Sequence, residues 1–538
     1  EELKEESPVQ AVQIGDPITQ RKMYEFLMEA RDLGLYRAIT DNGAGGLSCS
    51  VAEMGQICGG ADLDLAKAPL KYEGLKPWEI LLSEAQERMT LAVAQDKVQE
   101  FLCLARRRDV DASVLGTFTD SGVFIIRYNN RAVGRIDMNF LHKGCPVMNL
   151  EACWTPPFVA EPLRIRRRGR RDHYIRDLLA SLNLCSKEFK SRQYDGEVKG
   201  LSVVKPYVGI FSDMPSDATV LRVEYNSNEG VAFGDGINPF YSDIDAYWMM
   251  AAVIDEAVRR VISVGARLDH TAGLDNFCWP DPVFSEKTPD GKRKLAQLVR
   301  ANKALYDVTV AYRVPCISGK DSCKNDSTRG GRKISIPPTV LFSTISKIDD
   351  VRKAVTMDFK QEGDLIYVIG LTHNEMGCSA FCRLLAEKQG KPKNVGGIVP
   401  HLDIHTGLCI YRAMNKATGH GLLRSSHTPT RGGLSVAFAM STMGGNLGAE
   451  IELSKMPVDS LLSEDELLFS ESNSRFVVTV APENVHAFES LFDGLPCARV
   501  GKIIGSKILH VKGLRNQTVI ESDISLLRKA FKKTLRGM

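Results

Sequence analysis

The sequence predicts an α/β protein of α+β layering, duplicated internally into two halves related by pseudo-two-fold symmetry. Three observations carry this. Gly45-Gly46-Leu47-Ser48 recurs as Gly432-Gly433-Leu434-Ser435, an offset of 387 residues. The same offset carries Asp16 onto Asp403, Tyr24 onto Tyr411, Gly34-Leu35 onto Gly421-Leu422, Ser83-Glu84 onto Ser470-Glu471 and Arg88 onto Arg475. One shared tetrapeptide is chance, but six anchors in one register are a repeat. Within each copy, short helical and strand patterns alternate, as in a layered domain.

The first copy opens with Gly15-Asp16-Pro17, where Asp caps and Pro starts a helix running to about Arg31. Gly34 stops that helix. Tyr36 to Thr40 reads as a strand entering the turn Asp41-Asn42-Gly43-Ala44-Gly45-Gly46. A helix from about Leu47 to Met54, a helix near Pro77 to Leu82 and a strand from Arg88 to Val93 follow. Residues 403–480 read the same way. Between the copies, an amphipathic helix spans about Asp243 to Val264, and another spans about 290–312. Val314 to Ile317 reads as a buried strand leading into a Ser318–Ser322 turn, and Pro338 to Ile348 reads as a further strand. The predicted organisation is a leader (1–11), a first-half C-terminal domain (12–155) and a basic linker with a helix (156–200). A separate second-half nucleotide-binding-type domain (201–350), a second-half C-terminal domain (351–512) and a tail (513–538) complete it.

Composition narrows the class. The 538 residues carry 43% apolar and 25% charged side chains and a formal charge of +3, an ordinary globular balance. No apolar run reaches the 18 residues of a membrane span, so no membrane role is expected. The small net charge gives no general pull toward nucleic acid. The basic run Arg164, Arg166, Arg167, Arg168, Arg170 and Arg171 lacks interleaved aromatics and reads as a solvated linker face. Thirteen cysteines without a CxxC pair, and no secretory signal, fit reduced thiols of a cytoplasmic protein. Cys378 and Cys382 are read as sharing a helix face. His401 and His405 stand four apart without an evident third ligand, which argues against zinc.

A P-loop is excluded by the absence of GxxxxGK[ST]. Phosphate must then meet glycine turns at strand ends. Gly319 within Ser318–Ser322 is one such turn, or a plain structural one. Asp41, at a strand end before the 43–46 glycines, suits either Mg²⁺ beside phosphate or an Asx turn. Ser83 to Arg88 gathers more polar groups than capping requires. Asp275 to Pro280 reads as a rigid loop after the strand-like Leu268 to Leu274, with Trp279 either core or functional.

Together these segments resemble the synthetase of phosphoribosylformylglycinamidine synthase, within the aminoimidazole ribonucleotide synthetase-like superfamily. The carrying motifs are Val12 to Pro17, Asp41 to Leu47, Pro77 to Met89, Arg192 to Gly200, Asp275-Asn276-Phe277, Val314 to Ser322, Gly377-Cys378-Ser379 and Ser470-Glu471 with Arg475 to Val478. The resemblance implies ATP-dependent amidation of formylglycinamide ribonucleotide through a phosphorylated amide, with ATP and Mg²⁺ as cofactors. It implies Gln13, Glu84, Ala85, Gln86 and Ser322 as substrate contacts, Asp275 and Gly319 as nucleotide contacts and Asp41 as a Mg²⁺ ligand. Ammonia is expected from a separate glutaminase subunit bridged by a small accessory protein. Where this family often has Asn after the turn glycine the chain has Lys320, and where the second copy often has His-Asp it has His427-Thr428. The second copy's nucleotide site is therefore expected to be structural. The family's first nucleotide-binding domain, which carries the general base, is expected upstream of residue 1, and the chain without it is expected to be inactive. The rival reading is a non-catalytic nucleotide-binding scaffold or a related ATP-dependent synthetase of the same fold.

Overall fold

The computed structural model describes residues 15–70, 73–157, 169–194, 196–390 and 395–536. The chain divides into two compact units, one ending at Asn149 and one beginning at Leu150.

In the first unit, Asp16 caps the helix Pro17–Asp32 by accepting the Ile18 amide at 3.1 Å. The strand Ala38–Asp41 pairs antiparallel with Met89–Ala92. A separate four-stranded sheet runs in the order Gly116–Thr119, Gly60–Asp64, Val123–Tyr128, Arg131–Asp137. The helix Leu47–Cys58, longer than the sequence suggests, packs Leu47 and Val51 with Leu63, Ile80 and Phe124. A second cluster joins Phe26 and Ala30 to Phe101 and Leu104 of the helix Val98–Arg107.

The second unit holds two larger sheets. Six strands run in the order Cys316–Ser322, Thr271–Cys278, Thr339–Ile348, Gly230–Ile237, Thr219–Arg222, Ser202–Val204. Only the first pair is parallel among them. Seven strands run in the order Leu423–His427, Phe476–Val480, Leu365–Ile369, Cys497–Ile504, Gly448–Glu452, Ile508–Lys512, Thr518–Asp523. Both large apolar clusters draw on both sheets: Val220, Ala232 and Ile348 meet Ile366 and Val477 in one, Phe277 and Phe342 meet Tyr367 and Phe476 in the other. Residues 201–350 are therefore not a separate body. The helix Ala246–Ser263, predicted to be amphipathic, is buried along 15 of its 18 residues, because it supplies both clusters.

The repeat is visible in the elements. Helices Pro17–Asp32 and Pro77–Leu82 recur 387 residues on as Ile404–Gly419 and Glu464–Phe469. Residues 513–538, expected as a tail, instead add the edge strand Thr518–Asp523. The helix after it buries Ile524, Leu527 and Phe531. In the predicted basic linker, Arg171 is buried against Asp465 at 2.6 Å and Arg170 pairs with Asp172 and Glu521. Arg164 and Arg166 to Arg168 lie outside the described residues, as does the expected leader.

Two expected loops are strand. Asp275 to Phe277 lie inside Thr271–Cys278, and Ser318–Ser322 is not a turn but the exposed edge strand. Parallel pairing of Asp275 with Gly319 through Cys278 with Ser322 carries the backbone straight through both segments. Cys378 precedes the helix Ala380–Lys388 in a left-handed turn, so it does not share a helix face with Cys382. Trp279 is core: it is fully buried, and its indole N–H donates to the Lys294 carbonyl at 3.1 Å.

Candidate functional site

The glycine turn of the first copy is shaped by what it touches. Gly46 adopts φ +56°, and a Cβ there would stand 2.2 Å from the Ser83 carbonyl oxygen. Only glycine allows that approach. The Gly45 amide donates to Glu84 Oε1 at 3.1 Å, and Arg88 donates to the Ser83 carbonyl. Burial pushes the Arg88 guanidinium below its ordinary range. Buried Asn42 accepts from Ser50 at 2.8 Å and Thr90 at 3.0 Å, tying turn, helix and strand together. The Ser83–Arg88 segment is thus fixed from below, while Glu84 and Gln86 stay exposed. Asp41 is also exposed, with Oδ1 accepting the Gly43 amide at 2.7 Å. That is an Asx turn, and it leaves the carboxylate at the mouth of the glycine turn.

Glu84, Ala85 and Gln86 line a cavity of about 1890 Å³ within the first unit, shared with Met89 to Ala92 and Gly116 to Phe118. Small-ligand pockets usually measure roughly 300–1,000 Å³, so this one has room for more than a metabolite.

The second copy repeats the hydrogen bonds and closes the space. Gly433 adopts φ +63° with its would-be Cβ 2.5 Å from the Ser470 carbonyl oxygen. The Gly432 amide donates to Glu471 Oε1 at 2.8 Å, and Arg475 donates to the Ser470 carbonyl at 2.5 Å. Unlike Glu84, Glu471 is buried. It also accepts from the Ala380 amide at 2.8 Å and from the Tyr241 hydroxyl at 2.5 Å. Burial holds its carboxyl above the usual range despite these donors. Beside it, Asn238, Glu256, Arg259 and Arg431 enclose about 10 Å³, room for roughly one water.

Thr428, the counterpart of Asp41, donates from its hydroxyl and amide to Asp217 Oδ1 at 2.5 and 3.1 Å, while His427 Nδ1 lies 2.8 Å from Oδ2. A carboxylate is present after all, supplied from just ahead of the strand Thr219–Arg222. Burial opposes its charge, but His427 and Thr428 together hold it below the usual carboxylate range. Sequence reasoning missed Asp217 because it lies 211 positions from Thr428; His427, with no carboxylate beside it in sequence, was the available signal.

Asp275 and Gly319 stand side by side on the six-stranded sheet, where a Cβ at 319 would meet Asp275 Oδ1 at 3.0 Å. Partial burial, with Asp321 nearby, holds the Asp275 carboxyl above its ordinary value. Ser322 ends the same edge strand and receives a hydrogen bond from Lys320. Gln13 lies outside the described residues. His401 stacks on Trp248, and among the described residues no three His, Cys, Asp or Glu side chains come together as a metal site. Mg²⁺ commonly takes only one or two carboxylates and completes its shell with water and phosphate, so exposed Asp41 beside the glycine turn fits a metal carried on a phosphate ligand.

A duplicated layered fold, with paired glycine turns and the same glutamate contact in both halves, defines a synthetase of the AIR synthase-related class. The model for the AIR synthase related protein, C-terminal domain, matches residues 1–129 and 361–513, covering both copies. The chain belongs to the phosphoribosylformylglycinamidine synthase PurL family of purine-biosynthesis ligases. It is 30% identical to the PurL subunit of Thermococcus sibiricus over 98% of this chain and 69% of that protein. With the Methanopyrus kandleri PurL subunit it shares 31% over 100% of this chain and 70% of that one. The T. maritima PurL structure complexed with FGAR is similar in fold, with a TM-score of 0.60 at 21% identity. That match covers 92% of this chain and 66% of that one.

Proposed function

We propose that this chain carries the synthetase chemistry of its family on the first copy's site and keeps the second copy's equivalent as a structural element. The reaction is the ATP-dependent amidation of formylglycinamide ribonucleotide to the amidine, a C–N ligation of purine biosynthesis. ATP phosphorylates the amide oxygen, ammonia adds at the activated carbon, and phosphate leaves. The observation that carries the assignment to one copy is a contrast between equivalent glutamates. Glu84 is exposed on a large cavity, whereas Glu471 is buried beside about 10 Å³.

Glu84, Ala85 and Gln86 are the substrate-contacting segment, held rigid by Gly46 and Arg88 so that orientation is set before substrate arrives. Gln13 and Ser322 are assigned to substrate, and Asp275 and Gly319 to nucleotide, through their family motifs. Asp41 would hold Mg²⁺, which neutralises charge on the transferring phosphoryl group when bound. Ammonia comes from a glutaminase partner with a small accessory subunit. The relatives are named as subunits, and a T. maritima assembly is described as PurLQS.

Nucleotide titration with and without Mg²⁺ tests the Asp41 assignment. Mg²⁺ should tighten ATP binding to the wild type, and Asp41→Asn should erase at least about tenfold of that gain, or about 1.4 kcal/mol. An unchanged Mg²⁺ effect would remove Asp41 from the site.

A further inference from the structure

The two glycine turns hold the same backbone and differ in what precedes the paired glycines. Gly45 and Gly432 both adopt φ +81°. One position earlier, the repeat sets Ala44 against Arg431, and one before that, Gly43 against Thr430. Gly43 and Ala44 are exposed. Thr430 and Arg431 are half-buried and line the enclosure of about 10 Å³ beside Glu471. The second copy therefore has a guanidinium where the first has a methyl group.

The surroundings require that charge. Glu256 and Glu471 are buried walls of the enclosure. Glu256 pairs with Arg260 at 2.7 Å, and its neighbour Asp255 lies 3.3 Å from Arg259. Glu471 is reached by neutral donors, the Gly432 and Ala380 amides and the Tyr241 hydroxyl. Burial opposes the charge on Glu256 and on Glu471, and Arg431 favours it on both. Burial likewise opposes the Arg475 cation, which Glu375 and Glu471 support. Arg259, Arg260, Arg431 and Arg475 thus balance the buried carboxylates Asp255, Glu256, Glu375 and Glu471. Buried charges persist only when balanced in this way. The enclosure also holds an unused acceptor: Asn238 lines it, and its buried Oδ1 meets no donor among the described residues.

We propose that the second copy's site is a guanidinium site, which the chain fills with its own Arg431. Arg431→Ala would restore the residue of the first copy and leave one of these carboxylates without a counter-charge. Because Arg431 is half-buried, its path opens to solvent once the side chain is removed. A small planar cation can enter by that path, with Glu471 and the Asn238 oxygen accepting its N–H groups. The inference concerns the second copy alone and holds whichever ligand Glu84 binds.

Calorimetric titration of methylguanidinium into the full chain tests it, with urea as the uncharged isostere. Arg431→Ala should bind methylguanidinium at least about tenfold more tightly than the wild type and should not bind urea. The gain should vanish when Glu471→Gln is added, and Arg431→Met, which fills the space without charge, should show none. Equal binding by wild type and Arg431→Ala, a gain that urea reproduces, or equal gains in the Ala and Met variants would overturn the proposal. If Arg431→Ala refolds poorly, methylguanidinium must raise its folded yield, and no increase would overturn the proposal as well.

Discussion

At the scale of single residues, the same few contacts recur in both copies and serve different ends. Gly46 and Gly433 both leave no space for a Cβ against a carbonyl oxygen. Gly46→Ala and Gly433→Ala should each cost about 1–3 kcal/mol of stability, read by urea unfolding; a change within about 0.5 kcal/mol would show that the turns relax freely. Asp217 supplies the pH prediction. Its folded pKa lies below the ordinary 3.8, so its stabilising effect is present above that value and is lost as pH falls through the folded pKa. Asp217→Asn should therefore destabilise the protein at neutral pH, and the gap to the wild type should close as pH drops below about 4. A gap independent of pH would mean the carboxylate is not held charged. Gly46 and Glu84 were legible in the sequence because their motif is local. Asp217 was not, because a buried carboxylate brought from another segment leaves no mark at Thr428.

At the scale of elements, the helices were the most readable features. Pro17–Asp32 follows its Asp-Pro start closely, and Gly291–Tyr312 matches its expected span of about 290–312. The misread segments were strands. Ser318–Ser322 carries Ser, Gly, Lys and Asp, residues that favour turns, yet pairing with Thr271–Cys278 holds it extended. Its glycine serves the close approach of Asp275 rather than a turn. Gly319→Ala should consequently disturb Asp275, and it should weaken nucleotide binding by about tenfold (about 1.4 kcal/mol) while leaving the unfolding midpoint of the second unit nearly unchanged. Loss of the second unit's fold instead would make the glycine purely structural.

At the scale of the molecule, the repeat was visible in six anchors and reappears as matching helices, strand pairings and hydrogen bonds. The fusion of residues 150–538 into one unit was not visible, because shared cores such as Val220 with Ile366 are made by residues distant in sequence. Duplication also frames the central claim: one ancestral arrangement kept two ways, open around Glu84 and closed around Glu471. Calorimetric titration of formylglycinamide ribonucleotide into the wild type, Glu84→Ala and Glu471→Gln tests this most directly. Binding should fall at least about tenfold in Glu84→Ala and stay within about twofold of wild type in Glu471→Gln. Undiminished binding by Glu84→Ala, with loss in a folded Glu471→Gln, would put the substrate site in the other copy and contradict the account.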